Sequence, residues 1–152
     1  MENRFMLEAL ALAKLSAEEG EVPVGAVVVC DGEIVGTGRN RRELKKNALY
    51  HAELEAIDNA CKKLGGWRLH RCELYVTLEP CPMCAGAIIN SRIKTLIFGA
   101  SDKKAGSAGS VINLFELPYN HKPEIISGVM EEECAALLSS FFKSLRKSKK
   151  TS

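Results

Sequence analysis

Residues 73–91, Glu-Leu-Tyr-Val-Thr-Leu-Glu-Pro-Cys-Pro-Met-Cys-Ala-Gly-Ala-Ile-Ile-Asn-Ser, predict a buried strand that passes directly into a helix. Glu73–Leu78 is rich in strand formers. Pro82 is tolerated only in the first turn of a helix, so it marks where the helix begins. The apolar positions that follow recur at helical spacing. This strand-then-helix unit decides the fold class, because the same alternation continues on both sides of it.

Working outward, helices and strands alternate over the whole chain. A two-residue hairpin is predicted at Asp31-Gly32, and a helix that starts near His51 is ended by Gly65-Gly66. The other predicted elements are helices at Phe5–Glu18 and Met130–Arg146, and strands at Val22–Cys30, Ile34–Gly38, Lys94–Gly99 and Glu124–Ser127. Helices that alternate with buried strands, the fifth of the strands being weak, predict a three-layer α/β/α sandwich around a five-stranded sheet.

The length of 152 residues fits one domain, which we place at 1–146, followed by a basic C-terminal tail at 147–152. The longest apolar runs are strand-sized, well below the roughly 18 residues of a membrane span. The first residues lack the basic-then-apolar pattern of a signal peptide. We therefore expect a cytoplasmic protein without membrane contact, in which cysteines are metal ligands, nucleophiles or core residues rather than disulfides.

The formal net charge is only +2, but the charges are unevenly distributed. Residues 1–38 carry seven acids and two bases, whereas residues 39–152 carry twelve acids and nineteen bases. Two basic runs, 39–46 and 143–150, hold many of the latter. Each run alone is typical of a solvated loop or chain end, and together they allow a phosphate-bearing partner.

Two short segments carry the residues for metal chemistry. His51-Ala-Glu53 lies at a predicted helix start, and Pro80-Cys-Pro-Met-Cys84 follows the strand quoted above. Cys81 and Cys84 are three residues apart and share one helix face. One imidazole and two thiolates suit zinc, and three protein ligands leave a fourth position open, as in catalytic sites. Glu53 is placed to move a proton beside such an ion.

Other interpretations of these segments exist. A Cys-x-x-Cys pair is often redox-active, or half of a four-ligand structural zinc site. The nearest spare cysteine for such a site is Cys72, which lies before the intervening strand. We predict that Cys30, Cys61 and Cys134, which fall on apolar faces, are core residues. The two segments together favour a catalytic zinc site.

The same residues carry a family resemblance. His51-Ala-Glu53 with Pro80-Cys81-x-x-Cys84 resembles the signature of the zinc-dependent cytidine and deoxycytidylate deaminase superfamily. Further blocks are similar to the bacterial tRNA-specific adenosine deaminases: Val22–Ala26, Tyr75–Ala87, Ser91–Ile93, Phe98–Ala100 and Glu133–Leu138 with Phe141-Phe142. The likeness extends from about residue 4 to about residue 146. One departure is Asn47-Ala-Leu-Tyr50, where the family often has Asp-Pro-Thr-Ala.

The resemblance implies a cytidine-deaminase-like fold with a mixed sheet, and a hydrolase acting on C–N bonds in cyclic amidines. It implies one Zn²⁺ per subunit held by His51, Cys81 and Cys84, which activates water to attack adenine C6 while Glu53 shuttles the proton. The implied product is inosine at the wobble position, 34, in the anticodon loop of tRNA. It also implies a homodimer.

The resemblance further assigns the base-binding asparagine to Asn40. We expect Val22, Pro23 and Val24 to line the base pocket, and the backbone N–H of Cys81 to donate to the developing charge. The basic residues predicted to contact RNA are Arg39, Arg41, Arg42, Lys143, Arg146 and Lys147. Two alternatives stay open: a deaminase of free bases or nucleosides, such as guanine or cytosine, and a non-catalytic zinc module that binds RNA.

Overall fold

The computed structural model describes the backbone of residues 3–151 and the side chains of residues 3–148. Helices and strands alternate as the sequence predicts. In chain order they are α1 (Arg4–Glu18), β1 (Gly25–Cys30), β2 (Glu33–Arg39), α2 (Ala52–Leu64), β3 (Cys72–Leu78), α3 (Pro82–Asn90), β4 (Thr95–Ala100), a single 3-10 turn (Leu114–Glu116), β5 (Glu124–Ile126) and α4 (Glu131–Thr151).

The five strands form one mixed sheet in the order β2-β1-β3-β4-β5. β1 runs antiparallel to both β2 and β3, whereas β3, β4 and β5 are parallel. Leu96 and Phe98 of β4 face the core under α2 and α3, and Ile97 between them faces the core under α1 and α4. The predicted three-layer α/β/α sandwich with a five-stranded sheet is therefore confirmed.

The hairpin between β1 and β2 is the predicted one. Asp31 and Gly32 both have positive φ, 51° and 81°, which a two-residue turn of this kind requires, and Cys30 pairs with Glu33 across it. The strand before the hairpin is shorter than predicted, because it begins at Gly25 rather than Val22. The N–H of Val24 donates to the carbonyl of Val22 in a local turn around the intervening proline, which cannot donate to the sheet.

Gly25 permits the close approach of α1 to the sheet. A Cβ at this position would overlap the backbone of Ala9 and Ala13 in α1. The start of β1 and the middle of α1 are thereby fixed against each other. This contact matters for the site, because the segment just before Gly25 forms part of its wall.

The last helix is longer than predicted. α4 continues beyond Arg146 to Thr151, through most of the segment predicted as a basic tail, since 147–151 contains neither glycine nor proline. Ser152, the end of that predicted tail, lies outside the described residues. The division of the chain at residue 146 stays a prediction. Among the described helices, none has both the length and the apolar character needed to cross a membrane.

Candidate metal centre and active site

Two helix starts meet at the carboxyl end of β3. His51 is the residue before α2, and Cys81 is the residue before α3, each with extended backbone angles. Pro82 occupies the first position of α3, where its missing N–H costs no hydrogen bond. Cys84 follows in the first turn of α3 and is fully buried. The structure thus brings together the three predicted ligands from segments 30 residues apart.

The donor atoms of this cluster are spaced as a tetrahedral metal site requires. The Nδ1 atom of His51 lies 3.6 Å from the Sγ atom of Cys81 and 3.6 Å from the Sγ atom of Cys84. All three donor atoms lie within 4.8 Å of one another. Zinc bonds of about 2.3 Å to sulfur and about 2.0 Å to nitrogen, at tetrahedral angles, separate the two donors by roughly 3.5 Å. The His51–Cys81–Cys84 cluster therefore fits a zinc ion.

The electrostatics of the cluster favour one thiolate. A hydrogen bond from the Cys84 thiol lowers the pKa of Cys81 to about 4, assisted by His51 and opposed by burial. The same hydrogen bond raises the pKa of Cys84, since its thiol is the donor. Contact with Cys81 raises the pKa of His51 in turn. A metal ion would therefore displace protons shared among residues that already lie at ligand distances.

Glu53 stands beside the cluster as a buried carboxyl group. It is 4% exposed in the first turn of α2, and burial raises its pKa to about 7. A hydrogen bond with Cys84 and the charge of His51 act in the opposite direction. A carboxyl group with a pKa near 7 can both accept and donate a proton at neutral pH, which is the property of a general acid–base.

The cluster opens onto a cavity of about 190 Å³. Its wall consists of Val22, Val24, Asn40, Arg42, His51, Glu53, Leu78, Glu79, Cys81, Asp102 and Ala105. Three of the four residues predicted to bind the base are in this wall. The fourth, Pro23, is buried between its two lining neighbours.

Asn40 is held by its backbone, which leaves its side chain in the cavity wall. Its N–H donates to the carbonyl of Val24 at 3.1 Å, and its own carbonyl accepts a 2.9 Å hydrogen bond from the hydroxyl of Ser16. The residue is 8% exposed. An asparagine side chain offers both a donor and an acceptor, which suits the edge of a nucleobase.

The basic side chains predicted to contact RNA lie in different surroundings. Arg39 pairs with Glu19 at 3.0 Å, and Arg41 pairs with Glu55 at 3.2 Å, so both are engaged within the protein. Arg42 is exposed and lines the cavity. Lys143, Arg146 and Lys147 are exposed on α4 and are not among the residues that line this cavity.

The segment that departs from the family pattern forms the approach to His51. The side chain of Asn47 accepts a hydrogen bond from the N–H of Leu49, and the carbonyl of Tyr50 accepts one from the N–H of Arg41. These residues line a separate surface groove rather than the cavity. The departure therefore changes the surface beside the site and leaves the metal cluster intact.

Two buried glutamates that the motifs did not single out support the cavity walls. Glu21 is 2% exposed and accepts hydrogen bonds from the backbone N–H groups of Glu43 and Leu44, in the basic loop. Glu79 is equally buried and accepts hydrogen bonds from the loop after β4. Burial opposes the ionisation of Glu79, but these hydrogen bonds, with that of the Ser110 hydroxyl, lower its pKa.

The cysteines outside the cluster are free thiols. Cys30, Cys72 and Cys134 are buried, and burial raises the pKa of Cys72 to about 12 and that of Cys134 to about 11. Cys61 is half-buried, so its predicted place in the core holds only in part.

Comparison with known proteins identifies relatives over nearly the whole chain. A family model described as MafB19-like deaminase matches residues 2–146. The tRNA-specific adenosine deaminase of Bacillus subtilis (strain 168) is 53% identical over 147 residues, which cover 96% of this chain and 91% of that protein.

Two solved structures are also similar. One, from a study of A-to-I editing by tRNA:A34 deaminases at the wobble position, has a TM-score of 0.87 at 43% identity and covers 90% of this chain and 100% of its own. The guanine deaminase of Bacillus subtilis has a TM-score of 0.65 at 36% identity and covers 80% of this chain and 81% of its own. The fold is the cytidine-deaminase-like one.

Proposed function

The chain belongs to the MafB19-like deaminase family, with the tRNA-specific adenosine deaminases as its relatives, and we propose on that premise that it converts adenosine to inosine at the wobble position of tRNA. The observation that carries the chemistry is the His51–Cys81–Cys84 cluster with Glu53 beside it, at the bottom of a cavity lined by Asn40. The overall reaction is hydrolytic: adenosine and water give inosine and ammonia.

We propose that His51, Cys81 and Cys84 hold one zinc ion per chain, since their number, type and spacing fit that metal. When bound, zinc lowers the pKa of water toward neutrality and so supplies a nucleophile for hydrolysis at neutral pH. The donor spacing needs no rearrangement of α2 or α3 to accept the ion.

Glu53 would move the protons of the reaction. Its carboxylate takes a proton from the attacking water and delivers it to N1 of adenine. Transfer of the second water proton, from the new C6 hydroxyl to the exocyclic nitrogen, then breaks the C6–N bond, so that ammonia leaves and the C6 carbonyl forms. Its burial beside the cluster supports this role, because a buried carboxyl with a pKa near 7 can be protonated and deprotonated within one turnover. The backbone N–H of Cys81 is the proposed donor to charge that develops on the base.

Asn40 would identify the base, with Val22 and Val24 against its ring. The small cavity accommodates a base that has left its stack, and an anticodon loop presents such a base at low cost. Among the basic side chains predicted to contact RNA, Arg42 lies in the cavity wall, and it would meet the phosphate next to the bound nucleobase. Arg39 and Arg41 flank Asn40 in the chain, and Lys143, Arg146 and Lys147 on α4 would contact more distant parts of the RNA.

We also propose that the protein acts as a homodimer in the cytoplasm, where its tRNA substrate is found. Large apolar side chains are exposed in the segment before α2 and in the segments on either side of the 3-10 turn: Leu49, Tyr50, Val111, Ile112 and Tyr119. A second copy that covers these side chains would remove them from water.

The test is a comparison of substrates on one preparation. Purified protein is incubated with an anticodon stem-loop bearing A34, and separately with free adenosine, guanine and cytosine, and products are identified by mass spectrometry. We expect inosine in the stem-loop, little reaction of the free compounds, and no product with Glu53→Gln. Faster turnover of guanine or cytosine would support the free-base alternative, and RNA binding without any turnover would support the non-catalytic module.

A further inference from the structure

Glu79 directly follows β3, and its carboxylate is enclosed by the loop of residues 102–110, which contributes to the cavity wall. Its Oε1 atom accepts hydrogen bonds from the N–H of Asp102, at 3.0 Å, and from the hydroxyl of Ser110. Its Oε2 atom accepts hydrogen bonds from the N–H groups of Ala108 and Ser110, both at 3.0 Å. All four donors belong to residues 102–110, so one carboxylate binds both ends of this loop.

The loop also packs closely against the Glu79 carboxylate. A Cβ at position 106 would overlap the carboxylate of Glu79 and the carbonyl of Asp102, so the loop passes over the carboxylate at a point where only glycine fits. Beside it, the N–H of Ser107 donates to the carbonyl of Pro80 at 2.8 Å. The loop is therefore fixed to the segment that leads into the metal ligand Cys81.

The 102–110 loop carries residues that an RNA substrate would meet. Asp102 and Ala105 line the cavity together with His51 and Asn40. Lys103 and Lys104, between the two lining residues, are exposed. A displacement of the loop would move one wall of the cavity and two positive charges near its rim, whereas the three metal ligands lie outside the loop, at the starts of α2 and α3.

We propose that Glu79 is a positioning residue for the RNA substrate: its carboxylate fixes the 102–110 loop so that the cavity wall and the two lysines meet the incoming strand. This inference rests on the proposed function for its substrate. It assigns to Glu79 an effect on substrate binding rather than on the proton transfers, which belong to Glu53.

The experiment compares Glu79→Gln with Glu73→Gln in zinc-loaded protein. Glutamine keeps the shape of Glu79 but has only one acceptor oxygen. Its amide NH2 group would face N–H groups of the loop, which are also donors, so those hydrogen bonds would be lost. Glu73 lies on β3, the strand that leads to Glu79, at the end away from the cavity, and it is half-buried. The readouts are kcat and KM on the A34 stem-loop, zinc content per chain, and the rate of trypsin cleavage after Lys103 and Lys104.

We expect Glu79→Gln to raise KM by about tenfold or more with a much smaller change in kcat, because it weakens substrate placement and not the chemical groups. Cleavage after Lys103 and Lys104 should become faster, and zinc content should stay at the wild-type value. Glu73→Gln should match wild type in all three readouts. Unchanged KM and cleavage in Glu79→Gln, or loss of its zinc, would overturn the inference.

Ser110→Ala keeps the test decisive if Glu79→Gln does not fold. It removes one donor from an exposed residue, so it should give a smaller rise in KM and in cleavage rate, and wild-type behaviour in both would refute the role of Glu79. Wild-type protein inactive on the stem-loop would refute the proposed function instead. The trypsin comparison would still decide whether Glu79 fixes the loop.

Discussion

The hydroxyl of Ser16 in α1 donates a 2.9 Å hydrogen bond to the backbone carbonyl of Asn40, a residue 24 positions later in the chain. Ser16 is fully buried, so this contact joins the end of α1 to the proposed base-binding residue. The N–H of Asn40 is held separately by Val24. The position of the Asn40 side chain therefore depends on α1 and on the segment before β1.

Ser16→Ala should lower kcat/KM on the stem-loop several-fold and destabilise the fold by about 1–3 kcal/mol, because it leaves a buried carbonyl without its partner. Ser91→Ala is the matched control. Ser91 is also buried and donates its hydroxyl to the carbonyls of Ala87 and Ile88, at the end of α3. It should lose less stability, because both carbonyls also accept backbone N–H groups, from Ser91 and Ile93, and its kcat/KM should be unchanged. Equal kinetic losses in both variants would show that the Ser16–Asn40 contact has no specific role.

Metal content tests the cluster directly. Wild-type protein should contain about one zinc per chain, whereas Cys81→Ser and Cys84→Ser should contain almost none and melt at lower temperature, since metal binding is linked to folding. Cys61→Ser, which changes a half-buried thiol outside the cluster, should keep its zinc. The measurement is elemental analysis with thermal unfolding. Full zinc occupancy in Cys84→Ser would remove that residue from the ligand set.

The elements and the metal cluster could be predicted because their signals are local. Hydrophobic spacing marks the helices and strands, and each half of the cluster lies within five residues at a helix start. The boundaries that differ have local causes that spacing does not reveal: a turn around Pro23 delays β1, and helix-compatible residues extend α4 to Thr151.

The cavity walls could not be predicted in the same way. Glu79 binds backbone N–H groups 23 to 31 residues away, and backbone N–H groups have no signature in a sequence. The roles of the arginines in the basic segment 39–46 could not be predicted either. Arg39 and Arg41 look equivalent to Arg42 in the chain, but only tertiary structure reveals that glutamates on α2 and after α1 engage the first two.

Glu53→Gln should keep the zinc and the fold but lose turnover by about 10²–10⁴-fold, because glutamine fills the same volume and cannot carry the proton. Zinc analysis and single-turnover kinetics on the stem-loop provide the measurement. Glu55→Gln, two residues further along α2, is the control for loss of a carboxylate near the site, and it should retain far more activity. Loss of zinc in Glu53→Gln would indicate a ligand role instead.

The buried thiols predict a dependence of stability on pH. Burial raises the pKa of Cys72 to about 12 and that of Cys134 to about 11, above the value near 9 of an unfolded thiol. The folded state therefore binds more protons than the unfolded state above pH 9, and stability should fall as pH rises from about 9 toward 11–12. Cys134→Ala should show a shallower fall than wild type in thermal unfolding at pH 8, 9 and 10. Parallel curves would show that the Cys134 thiol does not contribute.

The last prediction separates the three arginines of the basic loop. Arg42 is exposed at the cavity, whereas Arg39 and Arg41 are held in ion pairs. If Arg42 meets a phosphate of the loop strand, Arg42→Ala should weaken stem-loop binding and reduce the slope of log affinity against log salt by about 0.7, the value for one contact on a single strand.

Lys62→Ala is the control, because Lys62 is an exposed base at the other end of α2, where it pairs with Asp58. It changes the net charge by the same amount and should leave the slope unchanged, since a distant charge releases no counterion from the bound strand. Fluorescence anisotropy at several salt concentrations gives both slopes. Equal slopes for the two variants would mean that Arg42 acts only through net charge, and the phosphate contact would then have to come from other bases.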